Sequence, residues 1–142
     1  MPGLSFGPSI VVWDLELAVK VLVYHDIDEL SSEVQARLRD GVLGLTVYTL
    51  AELLRRGKRY FSADSYVYYQ SYVLEQTTRV NLEHQDALSW YAELAARADG
   101  YGLSPSPDEV WNAVANRIHQ FPIATSTPER YLHLCSGEDL IA

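Results

Sequence analysis

Asp14, Glu52 and Asp108 are residues whose type and placement suit chemistry. Asp14 follows the apolar, β-branched run SIVVW at residues 9–13, and Glu52 lies in the first turn after a second such run, VLGLTVY at 42–48. Asp108 opens a late helix after a Gly and Pro loop. In an open parallel sheet, sites form outside the carboxyl ends of the strands. Carboxylates gathered there make an oxygen-rich pocket for a hard divalent cation such as Mg²⁺ or Mn²⁺. Two unit charges about 4 Å apart repel by about 4 kcal/mol at an effective dielectric of about 20, so such a cluster requires a cation or raised pKa values. Each acid also has a plain local use. Asp14 can terminate a strand, Glu52 can complete a capping box with Thr49, and Asp108 can sit at the positive end of its helix. The fourth strand exit, after Ile123 and Ala124, carries Thr125, Ser126 and Thr127 instead of an acid.

These positions must be held by a chain of 142 residues, read here as one domain spanning 1–142 and large enough for a real core. Hydrophobic residues make up 48% and charged ones 21%, which excludes a disordered or collagen-like chain. Nineteen Asp and Glu against 11 Lys and Arg leave a formal net charge of -8, so affinity for nucleic acid through overall phosphate neutralisation is disfavoured. Cys135 is the single cysteine; it excludes an internal disulfide and a cysteine-built zinc site. Residues 1–8 lack the basic start of a leader, and the longest uncharged apolar run, 41–51, is too short to span a membrane, so a cytoplasmic location is expected.

The positioning elements read as strands alternating with helices. Strands are expected at 9–13 and 42–48, with further short ones at 120–125 and 139–142; residues 79–83 suit a short strand or an extended linker. Helices are expected at 15–24, at 29–39 closed by Gly41, from 49 with Gly57 as its end, within 61–78, and at 84–99 with Gly100 as its stop. Ser106-Pro107-Asp108-Glu109 supplies a cap, a proline at the first helical position and an acid at the third, a strong helix start. Thr127-Pro128-Glu129 reads as another capped helix. This alternation argues for a parallel sheet covered on both faces.

The runs VVWDLELAVKVLV (11–23), LTVYTLAELLRRG (45–57) and PDEVWNAVANRIHQFPIATSTPERY (107–131) resemble, in order and spacing, the three signature stretches of the PIN-domain nuclease family, in particular its VapC-like toxin subgroup. The resemblance spans nearly the whole chain. It implies a three-layer α/β/α PIN-like fold on a central parallel sheet of about four or five strands. It further implies a Mg²⁺- or Mn²⁺-dependent endoribonuclease, the toxin of a toxin–antitoxin pair, with an RNA substrate, an antitoxin partner and a homodimeric state. Position by position, Asp14, Glu52 and Asp108 fall on the first three acids of the family's metal site. Asn112, four residues after Asp108 and on the same helix face, is a candidate support for a metal-bound water. Leu15 stands where the family has Ser or Thr, and the fourth acidic position is filled by Thr127, or by Ser126 in the adjacent register. A hydroxyl brings no charge, which leaves open a degenerate, non-catalytic protein- or RNA-binding module of the same fold.

An RNA substrate needs cations, and Arg55, Arg56, Lys58 and Arg59 cluster directly after Glu52; the same cluster also suits a helix C-terminus. The tyrosines between 66 and 72 suit base stacking, a core or a subunit contact. His25, His84, His119 and His133 show neither ligand spacing nor a partner nucleophile.

Overall fold

A computed structural model describes residues 9–142; the reading of residues 1–8 lies outside them. Five strands form one parallel sheet in the order β3-β2-β1-β4-β5. They are β1 (Ser9–Trp13), β2 (Gly41–Leu45), β3 (Thr77–Arg79), β4 (Ile123–Ala124) and β5 (Leu140–Ile141). The helices are α1 (Leu15–Leu22), α2 (Ser32–Asp40), α3 (Val47–Tyr60), α4 (Ala63–Gln76), α5 (Ala87–Gly100) and α6 (Pro107–His119). None among the described residues is long and apolar enough to cross a membrane.

β1 shows how the sequence builds three layers. Alternate residues of a strand face opposite sides. Val11 and Trp13 therefore pack with α1, α2, α3 and α4, whereas Ile10 and Val12 pack with α5 and α6. The continuous apolar run is needed because both faces of this central strand are covered. The chain winds from β1 through β2 to β3 and then returns to place β4 on the other side of β1. The resulting switch point lies between β1 and β4, where Asp14 donates its amide to the Ala124 carbonyl at 2.9 Å.

Several boundaries differ from the sequence reading, each for a local reason. The second strand ends at Leu45 because Thr46 caps α3, its hydroxyl accepting from the Thr49 amide at 3.3 Å. Thr49 is therefore not the cap, and Glu52 lies beyond the first turn of α3. Gly57 does not end that helix. It lies inside α3 because Tyr69 of α4 packs on it so closely that a Cβ would lie 2.0 Å from the ring. Tyr69 then donates its hydroxyl to the Leu53 carbonyl at 2.8 Å, fastening α4 to α3. The expected helix after Thr127 is only a 3₁₀ turn, Pro128–Tyr131, and Thr127 makes no side-chain cap.

Candidate functional site at the carboxyl edge of the sheet

Asp14 leaves β1 at the switch point and is the N-cap of α1. Its Oδ1 accepts from the Glu16 amide at 2.9 Å, and its Oδ2 accepts from the Tyr131 hydroxyl at 2.8 Å. Only 3% of the residue is exposed. Burial pushes its carboxyl up to about 6 despite the Tyr131 and Glu16 hydrogen bonds, and the charges of Asp108 and Glu109 add to the rise. The polar contacts continue inward. Asn112 of α6 donates to the Tyr131 oxygen at 3.2 Å and accepts from the Thr49 hydroxyl at 3.5 Å. Asn112 is thus completely buried and engaged on both ends of its amide.

Glu109, the third residue of α6, is sealed in a different way. It accepts from the Ser106 amide at 2.9 Å and forms a two-pronged ion pair with Arg130, at 2.7 and 2.9 Å. Burial raises its carboxyl, but the Arg130 and Ser106 hydrogen bonds outweigh that effect and hold it below its ordinary range. The helix-start pattern flags Glu109 only as a cap. Its ion pair links residues 21 apart, and the Tyr131–Asp14 bond links residues 117 apart. Neither has a local signature, so Glu109, Arg130 and Tyr131 escape sequence reasoning.

Glu52 and Asp108 are placed differently. Both line an open cleft of about 680 Å³ together with Leu15, Tyr48 and Arg56. Asp14 is not on its wall. Asp108, at the second position of α6, is partly buried; burial lifts its carboxyl, and the charges of Glu109 and Glu16 lift it further. Glu52 points into solvent and pairs with Arg55 at 2.8 Å, which holds its carboxyl below the ordinary range. Arg56, which lines the cleft, pairs with Glu16 at 3.2 Å. Of the other basic residues, Lys58 lies over the Tyr66 ring at 4.8 Å and Arg59 is exposed. Thr127 meets the Thr125 hydroxyl at 3.3 Å, and Ser126 borders a separate hollow beside Leu17 and Lys20.

Among the described residues, no three His, Cys, Asp or Glu side chains stand together as ligands for one cation. The donors nevertheless divide clearly. Asp14 and Glu109 have each oxygen engaged by at least one of the protein's own donors, and the charge of Asp108 reaches Asp14. Glu52 and Asp108 line the open cleft. Both are hard oxygen donors on one cleft, and Glu52 is restrained only by an exposed ion pair of the kind that water and salt weaken. Mg²⁺ is commonly held by one or two carboxylates plus substrate phosphate, with water completing the shell, rather than by an all-protein cage.

Neither a family model nor a curated protein sequence matches the chain. Solved structures do. A chain of VapBC2 from Rickettsia felis, determined bound to a DNA fragment from their promoter, is similar at a TM-score of 0.70 and 14% identity, covering 93% of this chain and 96% of that one. A chain of VapBC-1 from nontypeable Haemophilus influenzae is similar at 0.65 and 12% identity, over 93% and 95%. A chain of FitAcB from Neisseria gonorrhoeae is similar at 0.59 and 13% identity, over 93% and 96%. At these identities the likeness establishes the fold, and the fold is the PIN-like α/β/α sandwich that the signature stretches imply.

Proposed function

We propose that the protein is a metal-dependent endoribonuclease of the PIN type, working as the toxin of a toxin–antitoxin pair in the cytoplasm, as a homodimer. The observation that carries this reading is the convergence of Glu52, Asp108 and Arg56 on one cleft at the carboxyl edge of the sheet. The likeness to chains of VapBC and FitAcB assemblies supports the antitoxin partner. Glu52 and Asp108 would hold the Mg²⁺ or Mn²⁺. When bound, the ion would polarise a phosphoryl oxygen, lower the pKa of an attacking water and offset the carboxylate charge. Arg56 supplies a guanidinium to the backbone of the substrate, exchanging its exposed contact with Glu16 for a phosphate. Asp14 stays behind the cleft, where it orients Tyr131 and the start of α1. Mn²⁺-dependent cleavage of single-stranded RNA, lost in Asp108→Asn, is the expected result. Cleavage that persists unchanged in that variant removes Asp108 from the role.

A second reading is favoured by a specific observation, the occupation of Asp14 by Tyr131 and of Glu109 by Arg130. On that reading the chain is a non-catalytic module that binds RNA or a partner protein. Absence of any Mn²⁺ effect on melting temperature, together with intact RNA binding, selects it.

A further inference from the structure

Tyr48 stands between two hollows. One is the acid cleft. The other, of about 560 Å³, opens beyond the ends of β2 and β3, and Val47 and Tyr48 line both. The Tyr48 ring lies parallel to Trp111 at 4.8 Å, and Trp111 is in turn braced by Tyr91 at 4.7 Å. Packing of this kind fixes the ring, yet Tyr48 remains 42% exposed. Arg79, the last residue of β3, enters the second hollow and forms no ion pair among the described residues. His84 contributes a further wall, stacked on Trp90 at 4.5 Å, and Leu88 gives an exposed apolar rim; Glu83 also borders the hollow.

A braced aromatic ring, an apolar rim and a cation without a carboxylate partner are the components of a stacking site for an unpaired base. The volume suits a small ligand rather than a folded partner. We infer that this hollow binds one unpaired nucleotide of single-stranded RNA next to the acid cleft, its base on Tyr48 and its phosphate on Arg79. The choice of RNA rests on the ribonuclease reading, but the subsite is testable without cleavage. Strands whose bases are paired cannot present a free face to Tyr48, so Tyr48 and Arg79 select unstructured RNA.

The test is fluorescence anisotropy with a short fluorescein-labelled oligouridine at low ionic strength in EDTA, which separates binding from metal-dependent turnover. Tyr48→Ala weakens binding roughly tenfold, the scale of one lost base stack, and Tyr48→Phe retains it within about twofold. Arg79→Gln weakens binding and makes its salt dependence shallower by about one counterion. Arg79 is exposed, so this variant carries the test if Tyr48→Ala proves misfolded by circular dichroism. The inference is overturned if the wild type shows no saturable binding or if a fully paired RNA binds as tightly. It is likewise overturned if a folded Tyr48→Ala, or Arg79→Gln in its place, binds like the wild type. Binding with these losses but no Mn²⁺-dependent cleavage retains the subsite and removes the ribonuclease reading.

Discussion

Asp14 and Glu52 carry the same charge and follow neighbouring strands of one sheet, yet one is sealed and the other solvated. Asp14 sits at the switch point between β1 and β4, the position at which open α/β sheets commonly bind ligands. Here Tyr131 and Asn112 fill that position. Glu52 lies beyond the first turn of α3 and faces the open cleft with Asp108. The contrast teaches that what distinguishes the two acids is the burial of their donors, since Tyr131 is fully buried whereas the Arg55 pair on Glu52 is exposed. Glu109 and Asp108, one residue apart, also differ, since Arg130 claims Glu109 and leaves Asp108 at the cleft.

Substitutions that break the sealed half have the largest effects on stability. Arg130→Met leaves Glu109 buried without its cation. A fully buried pair broken in this way costs about 3–5 kcal/mol, and partial exposure of the Arg130 side chain reduces the expected loss to about 2–3 kcal/mol in urea denaturation. Asp14→Asn acts through the pH dependence of stability. Its carboxyl rises from 3.8 in the unfolded chain to about 6 in the fold, so the folded state binds the proton more tightly. The stability associated with this group is fully present below about pH 4 and is lost as pH rises through about 6. Between about pH 4 and pH 7 the asparagine variant therefore gains up to about 3 kcal/mol relative to the wild type, superposed on a pH-independent loss of about 1–3 kcal/mol, because its single amide oxygen cannot accept from both Glu16 and Tyr131. An unchanged pH profile in Asp14→Asn contradicts the burial account. Tyr131→Phe removes one donor to Asp14 and a partner of Asn112, for an expected loss of about 1–3 kcal/mol. The smallest stability effect belongs to the open half. Glu52→Gln leaves the urea midpoint unchanged, because the Arg55 pair it breaks is exposed.

Local chemistry made much of the frame readable. The β-branched run before Asp14 identifies a buried parallel strand, and Ser106-Pro107-Asp108-Glu109 locates the start of α6 to the residue. The continuation of α3 through Gly57 was hidden, because its cause is the Tyr69 ring on another helix. The site was legible as a set of strand-end acids and hidden as an arrangement. Which acids are occupied depends on Arg130 and Tyr131, which lie far along the chain in its last crossover, between β4 and β5. The cation cluster likewise divides in three dimensions, with Arg56 turned to the cleft and Lys58 to α4.

The central claim is that Glu52 and Asp108, rather than the sealed acids, form the working edge of the protein. Isothermal titration calorimetry with Mn²⁺ tests it directly on the wild type, Glu52→Gln, Asp108→Asn and Asp14→Asn. The account predicts saturable binding by the wild type, loss of most of that affinity in each cleft variant, and retention of binding in Asp14→Asn. Binding abolished by Asp14→Asn but untouched by Glu52→Gln and Asp108→Asn, or no binding at all, contradicts it.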